Sequence, residues 1–325
     1  MKVSVIVPIY KVEAYIERCA RSLFEQTLQD VEFIFVDDAT PDDSITILEE
    51  TIKQYPQRRS QVKIIHHSEN KGLPTARNSG LQVATGEYIF HCDSDDYVDS
   101  SAFEKLYEAA VTNKADYVWC DWYLAFPQSK RYMQQPSCQT SEETLRGVLA
   151  GGMKYNVWNK LVKRSLYIDN DISFPDGYGM GEDMTMIRLL ACAKQVAYVP
   201  SALYYYVKRE GEAFTNTWTD KHIDSVRHNT QITIDFLKQR FSSSLDREIA
   251  WFKLNVKLPF LISNNKQLYK LWTESYPEAN KHIWTNKQLS WRIRLLQLFA
   301  SRRWFYLVRL HYALIYKLIY GIIFK

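Results

Sequence analysis

Cysteine is scarce and odd in number. The five residues Cys19, Cys92, Cys120, Cys138 and Cys192 show no C-x-x-C spacing. That excludes a disulfide framework and a thiolate zinc site, and points to reduced thiols in a cytosolic compartment. The amino end carries one charge, Lys2, and only a short apolar run before Pro8, so it reads as a first strand with no secretory signal. Glycine is missing from Pro8-Ile9-Tyr10-Lys11-Val12-Glu13, where a nucleotidyltransferase would be expected to carry a glycine-rich, basic loop. Long uncharged apolar runs are missing too. Trp304 to Phe324 approaches the length of a bilayer crossing but holds Arg309, His311 and Lys317. From Asn286 to Lys325 there is no acid at all against eight Lys or Arg, which leaves 33 basic and 37 acidic residues elsewhere. The formal net charge of +4 is therefore concentrated in the tail. No repeat or low-complexity segment interrupts the chain.

What is present is an ordinary globular composition, 46% apolar and 24% charged over 325 residues, enough for two lobes. Apolar strand-like runs at Lys2–Val7 (stopped at Pro8), Val31–Val36, Val62–His66 and Glu87–Cys92 alternate with helical patterns at 12–28, 45 onward and 74–84. That alternation within about 100 residues predicts βαβ units, an α/β fold with a mostly parallel sheet. In this reading Gly86 ends the third helix, and Asp42 or Asp43 can cap the second. A helix at 102–111 and a strand at 117–120 follow, then irregular chain from Asp121 to about Gly152 with a helix at 141–150. Regular patterning resumes at 157–162. A glycine-rich loop, Pro175 to Gly181, leads into Glu182-Asp183 and a helix to Ala193. Two short strands, 196–199 and 202–207, come next, and only helix after Thr219. The lobe boundary is placed near residue 215.

The stretch Tyr88 to Asp96 organises the rest. An apolar strand runs into Asp93-Ser94-Asp95-Asp96 at the carboxyl edge of the sheet, where open α/β folds bind ligands. If the chain stays extended, Asp93 and Asp95 point one way and Ser94 the other. Two hard oxygen donors suit Mg²⁺ or Mn²⁺ shared with a substrate phosphate. The bland alternative is a solvated acidic turn.

Seven pieces in order carry a resemblance. They are Val5 to Tyr10, Val36 to Asp42, Asn70-Lys71-Gly72 with Ala76 to Gly80, Ala84 to Tyr88, Asp93 to Asp96, Trp158 to Leu161, and Gly181-Glu182-Asp183. Over its first 210 residues the chain resembles bacterial family 2 glycosyltransferases of the capsule, exopolysaccharide and lipopolysaccharide type. The resemblance implies a GT-A fold over 1–215, with a nucleotide-sugar half to about residue 100 and an acceptor half beyond it. It also implies a nucleotide-sugar donor, a divalent metal (Mn²⁺ or Mg²⁺) and inversion at the anomeric carbon.

For the donor nucleotide the resemblance assigns Pro8, Tyr10 and Glu13, with Asp38 accepting the uracil N3–H and Asp37 the alternative. Arg77 is set toward the pyrophosphate, since a guanidinium fork matches phosphate oxygens. Asp93 and Ser94 border the donor, and Asp93 and Asp95 hold the metal. Asp183 is the implied general base, and Glu182 orients the base or the acceptor. Trp158 is a candidate sugar platform or a core tryptophan. Lys160 has no assigned role. Two departures stand out. Lys11 occupies a position where the family usually has Asn, and the family's Tyr-x-Tyr-Arg segment reads Tyr204 to Arg209, so Lys208 or Arg209 is expected to complete the diphosphate and acceptor region.

Residues 216–325 form a helical region whose tail, 288–325, mixes Arg and Lys with large apolar residues. Arg302, Arg309 and Lys317 would lie on one stripe of a helix, as a surface helix on anionic lipid requires. Docking on the catalytic lobe or a second subunit is the alternative, so a homodimer stays open. Nucleic acid is not expected as a partner. The sequence thus reads as an inverting transferase moving a sugar, expected to be UDP-linked, to a hydroxyl of a glycan or lipid-linked glycan. The expected location is the cytoplasm, at the inner face of the cell membrane. The rivals are an inactive carbohydrate-binding scaffold, which would show no turnover with any donor, and the nucleotidyltransferase already mentioned.

Overall fold

The computed structural model describes residues 1–208 and 218–315. They fall into two compact units, one of residues 1–144 and 155–208, the other of 145–154 and 218–315.

The first unit runs β1 (Val3–Ile9), α1 (Ile16–Phe24), β2 (Val31–Asp37), α2 (Ser44–Lys53), β3 (Val62–His66), α3 (Leu73–Val83), β4 (Tyr88–His91), β5 (Tyr97–Val98), α4 (Ala102–Thr112), β6 (Tyr117–Ala125) and β7 (Lys130–Met133). It continues, after α5 (Ser141–Leu149), with β8 (Lys160–Lys163), α6 (Arg164–Asp169), α7 (Thr185–Cys192) and β9 (Val196–Val207). The strands form one mixed sheet in the order β3-β2-β1-β4-β8-β6-β9-β5, with β7 paired to β6. β3, β2, β1 and β4 are mutually parallel, and β8 joins β4 and β6 antiparallel to both. Every residue of β1 is buried, as expected for a parallel strand covered on both faces. Helix α1 turns Ile16, Cys19, Ala20, Leu23 and Phe24 inward, spaced three and four apart along one face.

Several expectations are corrected. β1 runs through Pro8 to Ile9. The carbonyls of Lys2 and Ile6 accept from β4, at Tyr88 and Cys92, so even-numbered residues of β1 face β4. Pro8 lies two residues beyond Ile6, the last residue of that pairing, so its missing N–H costs nothing. The segment after Asp121 is not irregular: β6 continues to Ala125 and turns back into β7. The two short strands are one, β9. Its register shifts between Val199 and Ala202, leaving exposed Pro200 in a bulge where it need not donate to the ladder.

Gly86 does not end α3, whose cap is Ala84. A Cβ on Gly86 would lie 2.5 Å from the Ser4 backbone nitrogen, and one on Gly80 would lie 2.4 Å from Ile6 Cγ2. Both glycines exist to let chain approach chain. Gly80→Ala and Gly86→Ala are each expected to cost about 1–3 kcal/mol in urea unfolding. A change within about 0.5 kcal/mol would mean that β1 yields more readily than its packing implies.

The second unit contains α8 (Asp220–Phe241), α9 (Asp246–Lys257), α10 (Lys266–Glu274), α11 (Trp291–Ser301) and α12 (Phe305–Tyr312). Its core gathers Leu254, Phe260, Tyr269, Trp272, Ile283, Leu296 and Val308. The tail is not one helix from 302 onward. Arg303 takes φ +58°, its N–H donates to the Ala300 carbonyl and the Trp304 N–H to that of Phe299, both at 2.9 Å. The Phe299 and Trp304 rings lie 6.1 Å apart. This is a Schellman stop with its usual hydrophobic contact, built with arginine where glycine would be the signal. Arg302 and Arg309 therefore do not share a helix, and Lys317 lies outside the described residues.

Candidate active site

β4 delivers the acidic turn to the carboxyl edge of the parallel strands. Ser94 is buried while Asp93 and Asp95 on either side are half-buried, so the two acids stand out from the fold and the serine turns in. The turn is braced from below. The Asp93 N–H donates to Tyr204 Oη at 3.1 Å, and that hydroxyl donates to Asp96 Oδ2 at 2.8 Å. Asp96 Oδ1 accepts the Val207 N–H at 2.7 Å. Burial, then the neighbouring charges of Asp95 and Asp93, push the Asp96 carboxyl well above the usual range. Asp96 ties the turn to β9. The Asp95 carbonyl accepts from Arg18 Nη2 at 3.0 Å.

Arg77 lies beneath this turn and not out in the cleft. It is 1% exposed, and its Nη2 donates to Asp93 Oδ1 at 2.9 Å, with Glu182 Oε1 3.9 Å away. The reason is geometric. Arg77 precedes Gly80 by three residues, on the helix face that Gly80 presses onto β1. Arg77 thus stands in a supporting position under Asp93. Burial opposes its charge, but Asp93, Glu182 and Asp183 outweigh that and raise its pKa. The next residue, Asn78, clamps the glycine-rich loop: its side chain takes the Phe174 N–H at 2.9 Å and donates to the Phe174 carbonyl and Asp176 at 2.9 Å each. One helix thereby holds both the acidic turn and the loop that leads to Glu182-Asp183.

Gly181, in the left-handed region at φ +86°, starts a short 3₁₀ turn, Glu182–Met184, ahead of α7. Burial, then the charge of Asp183, raises Glu182. Burial raises Asp183 to about 6, with Asp93 adding to the shift and Arg77, Lys160 and the Val157 N–H opposing it. Lys160 is buried, its Nζ 2.5 Å from Asn159 Oδ1, and burial pulls its amine down to about 7. A carboxylate raised toward neutrality in a cleft is suited to take a proton.

On the nucleotide side, β1 and β2 end together, with Ile9 opposite Asp37. Tyr10 is exposed at the rim. Lys11 has φ +55°, a left-handed conformation that Asn tolerates better than Lys, which accounts physically for the family's usual Asn. Glu13 and Asp42 exchange bonds between the two loops: the Glu13 N–H donates to Asp42 Oδ2 at 3.0 Å and the Asp43 N–H to Glu13 Oε2 at 3.1 Å. Asp37 accepts the Thr40 N–H at 2.9 Å and pairs with His66.

Asp38 is 3% exposed, and it accepts the N–H groups of Lys71 and Gly72, both at 2.8 Å, and His67 Nδ1 at 2.7 Å. Since a carboxylate only accepts, His67 carries its proton on Nδ1, and when the ring is neutral Nε2 takes the Ser79 hydroxyl 2.9 Å away. Asp38 therefore organises the turn that starts α3, with at most one lone-pair direction left for a base. Sequence reasoning missed His67, because nothing in the spacing of a His-His pair marks it.

Trp158 is 6% exposed. Its face covers Tyr204 and Tyr206 at 4.5 and 5.4 Å, and Trp122 abuts it edge-on. Of the two readings for this residue, the core one fits, because little of the ring is open to a sugar. Arg209 lies outside the described residues. Among the described residues no three His, Cys, Asp or Glu side chains gather closely enough to hold a metal on their own. Asp93 and Asp95 would supply two oxygen donors, which fits an ion completed by diphosphate oxygens and water.

The sequence profile described as "Glycosyl transferase family 2" matches residues 4–176. The chain is 34% identical over 213 residues to a protein named "Uncharacterized glycosyltransferase EpsJ" of Bacillus subtilis, a match covering 63% of this chain and 60% of that one. Thus it spans about three fifths of that relative's length. It is 30% identical over 221 residues to "Glycosyltransferase GlyG" of Streptococcus pneumoniae, covering 64% and 71% respectively. In fold it is similar to the crystal structure of S. aureus TarS residues 1–349 in complex with UDP-GlcNAc, with TM-score 0.71, 21% identity, and coverage of 93% of this chain and 88% of that one.

Proposed function

The chain belongs to glycosyl transferase family 2, and from that premise we propose that it transfers one sugar, with inversion, from a UDP-sugar to a hydroxyl of a bacterial surface glycan. The acceptor would be carried at the inner face of the cell membrane. The observation that carries this reading is the convergence of Asp93, Arg77, Glu182 and Asp183 at the carboxyl edge of β4.

In this reading Asp183 accepts the proton of the acceptor hydroxyl as its oxygen bonds to the anomeric carbon. The bond from that carbon to the diphosphate breaks, and UDP leaves with the electron pair. Asp93 and Asp95 would hold a divalent ion whose charge offsets that of the diphosphate. Arg77 keeps Asp93 in place and helps Asp183 ionise. Glu182 stays protonated longer and can orient the acceptor by donating a hydrogen bond. Asp38, through Lys71 and Gly72, sets the loop beside the base, and Tyr10 borders the pocket from the rim. The UDP-GlcNAc bound by TarS supports a UDP-linked donor.

Calorimetry with UDP, GDP and CMP, with and without Mn²⁺, tests the pocket. UDP is expected to bind in a metal-dependent way, and Asp95→Ala to weaken it about tenfold or more. A preference for GDP would overturn the choice of donor. No nucleotide response would favour an inactive glycan-binding protein.

A further inference from the structure

Helix α12 has two unlike faces. Phe305 and Val308 pack into the core of the second unit, while Tyr306, Leu310 and Leu314 are 70%, 54% and 50% exposed at every fourth position. α12 ends at Tyr312 and 313–315 continue it as a π-helical turn, so Tyr306 and Leu310 share one outward apolar stripe of the helix and exposed Leu314 lies just beyond its end. Exposed Trp304 and the basic pair Arg302 and Arg303 stand at its head, with the Arg302 guanidinium 5.2 Å from the indole centre. Exposed Arg309 lies alongside, its Nε donating to Asn264 Oδ1 at 3.0 Å.

We propose that this face of α12, with the Arg302–Trp304 turn, lies on an anionic lipid surface. The inference rests on the membrane-borne acceptor proposed above and names the surface that would meet it. The charge pattern selects the occupant. Among the described residues from 286 to 315 six are basic and none is acidic, and Arg302, Arg303 and Arg309 beside the stripe repel a second copy of the same patch, as a two-fold dimer would present. A bilayer of anionic lipids supplies apolar depth for Leu310 and Leu314, an interfacial level for Trp304 and Tyr306, and counter-charge for the arginines. No described helix is long and apolar enough to cross a membrane, so the contact is along its surface.

The test is co-sedimentation of the full chain with neutral phosphatidylcholine vesicles and with vesicles containing about 30% phosphatidylglycerol, at about 0.1 and 0.5 M salt. Preferential binding to the anionic vesicles is expected, weakened at high salt. The triple variant Tyr306→Ser, Leu310→Ser, Leu314→Ser is expected to lose about tenfold or more. So is the pair Arg302→Glu, Arg303→Glu. These side chains are exposed, so circular dichroism should stay unchanged, and UDP calorimetry without vesicles separates failure of this inference from failure of the transferase reading. Equal binding to neutral vesicles, no binding, or a triple variant that binds like the parent would overturn the proposal. So would a dimer in light scattering that the triple variant converts to monomer.

Discussion

Asp183→Asn is expected to bind UDP as the parent does while losing about 10²–10⁴-fold in kcat, the usual contribution of a general base. The amide keeps the shape of the carboxylate and loses only its basicity. In the parent, kcat/KM should rise with pH through about 6, where burial has placed the Asp183 carboxyl. Glu182 titrates with it as a pair, so the profile reports the pair's apparent values. Stability should move the other way. Both carboxyls titrate higher in the folded chain than their ordinary values of 3.8 and 4.5, so the folded state binds extra protons. Their contribution is fully present below those ordinary values and is lost as pH rises through the folded ones. Asp183→Asn should therefore raise Tm at pH 8 and gain little at pH 4. A variant with full transfer activity would remove Asp183 from the role of base, and one destabilised at pH 8 would mean that burial does not raise its carboxyl.

Arg77→Met is expected to cost stability near the lower end of about 3–5 kcal/mol, the usual loss when one partner of a buried ion pair is removed. Methionine fills much of the volume, and the change also deletes the guanidinium Nε and Nη1 groups, which have no acceptor among the described residues. What remains is Asp93 without its 2.9 Å partner, facing Glu182 and Asp183. Asp183 loses the charge that held it down, so the acid limb of kcat/KM should move to higher pH. Urea unfolding and the pH profile are separate readouts. A stable variant with an unshifted limb would show that Arg77 acts on the donor directly, as its residue type alone implied.

Particular residues show how far the chain could be read. The acidic turn was legible because an apolar strand running into Asp93-Ser94-Asp95-Asp96 admits few structures, but the chain does not stay extended there: the Asp96 N–H donates to the Asp93 carbonyl at 3.1 Å and closes a turn. Pro8 was misread as a stop because the rule that proline breaks a strand depends on whether a neighbour needs its N–H. Only the register with β4 answers that. A glycine after a helical pattern suggests a helix end, yet the reason for Gly86 is the Ser4 backbone across the sheet. The break at Arg303 carried no glycine to announce it.

By itself the sequence determined the family, the βαβ order, the acids at the sheet edge and the basic, acid-free tail. These depend on local pattern and on motifs spaced along one chain. The tertiary structure alone decided that Arg77 supports Asp93, that His67 orients Asp38, that Trp158 is core, and that α12 presents Tyr306 and Leu310 outward. Each of those depends on which atoms from distant segments meet in a low-dielectric interior. The strength of a charge or a hydrogen bond there is set by its neighbours, and not by the residue that carries it.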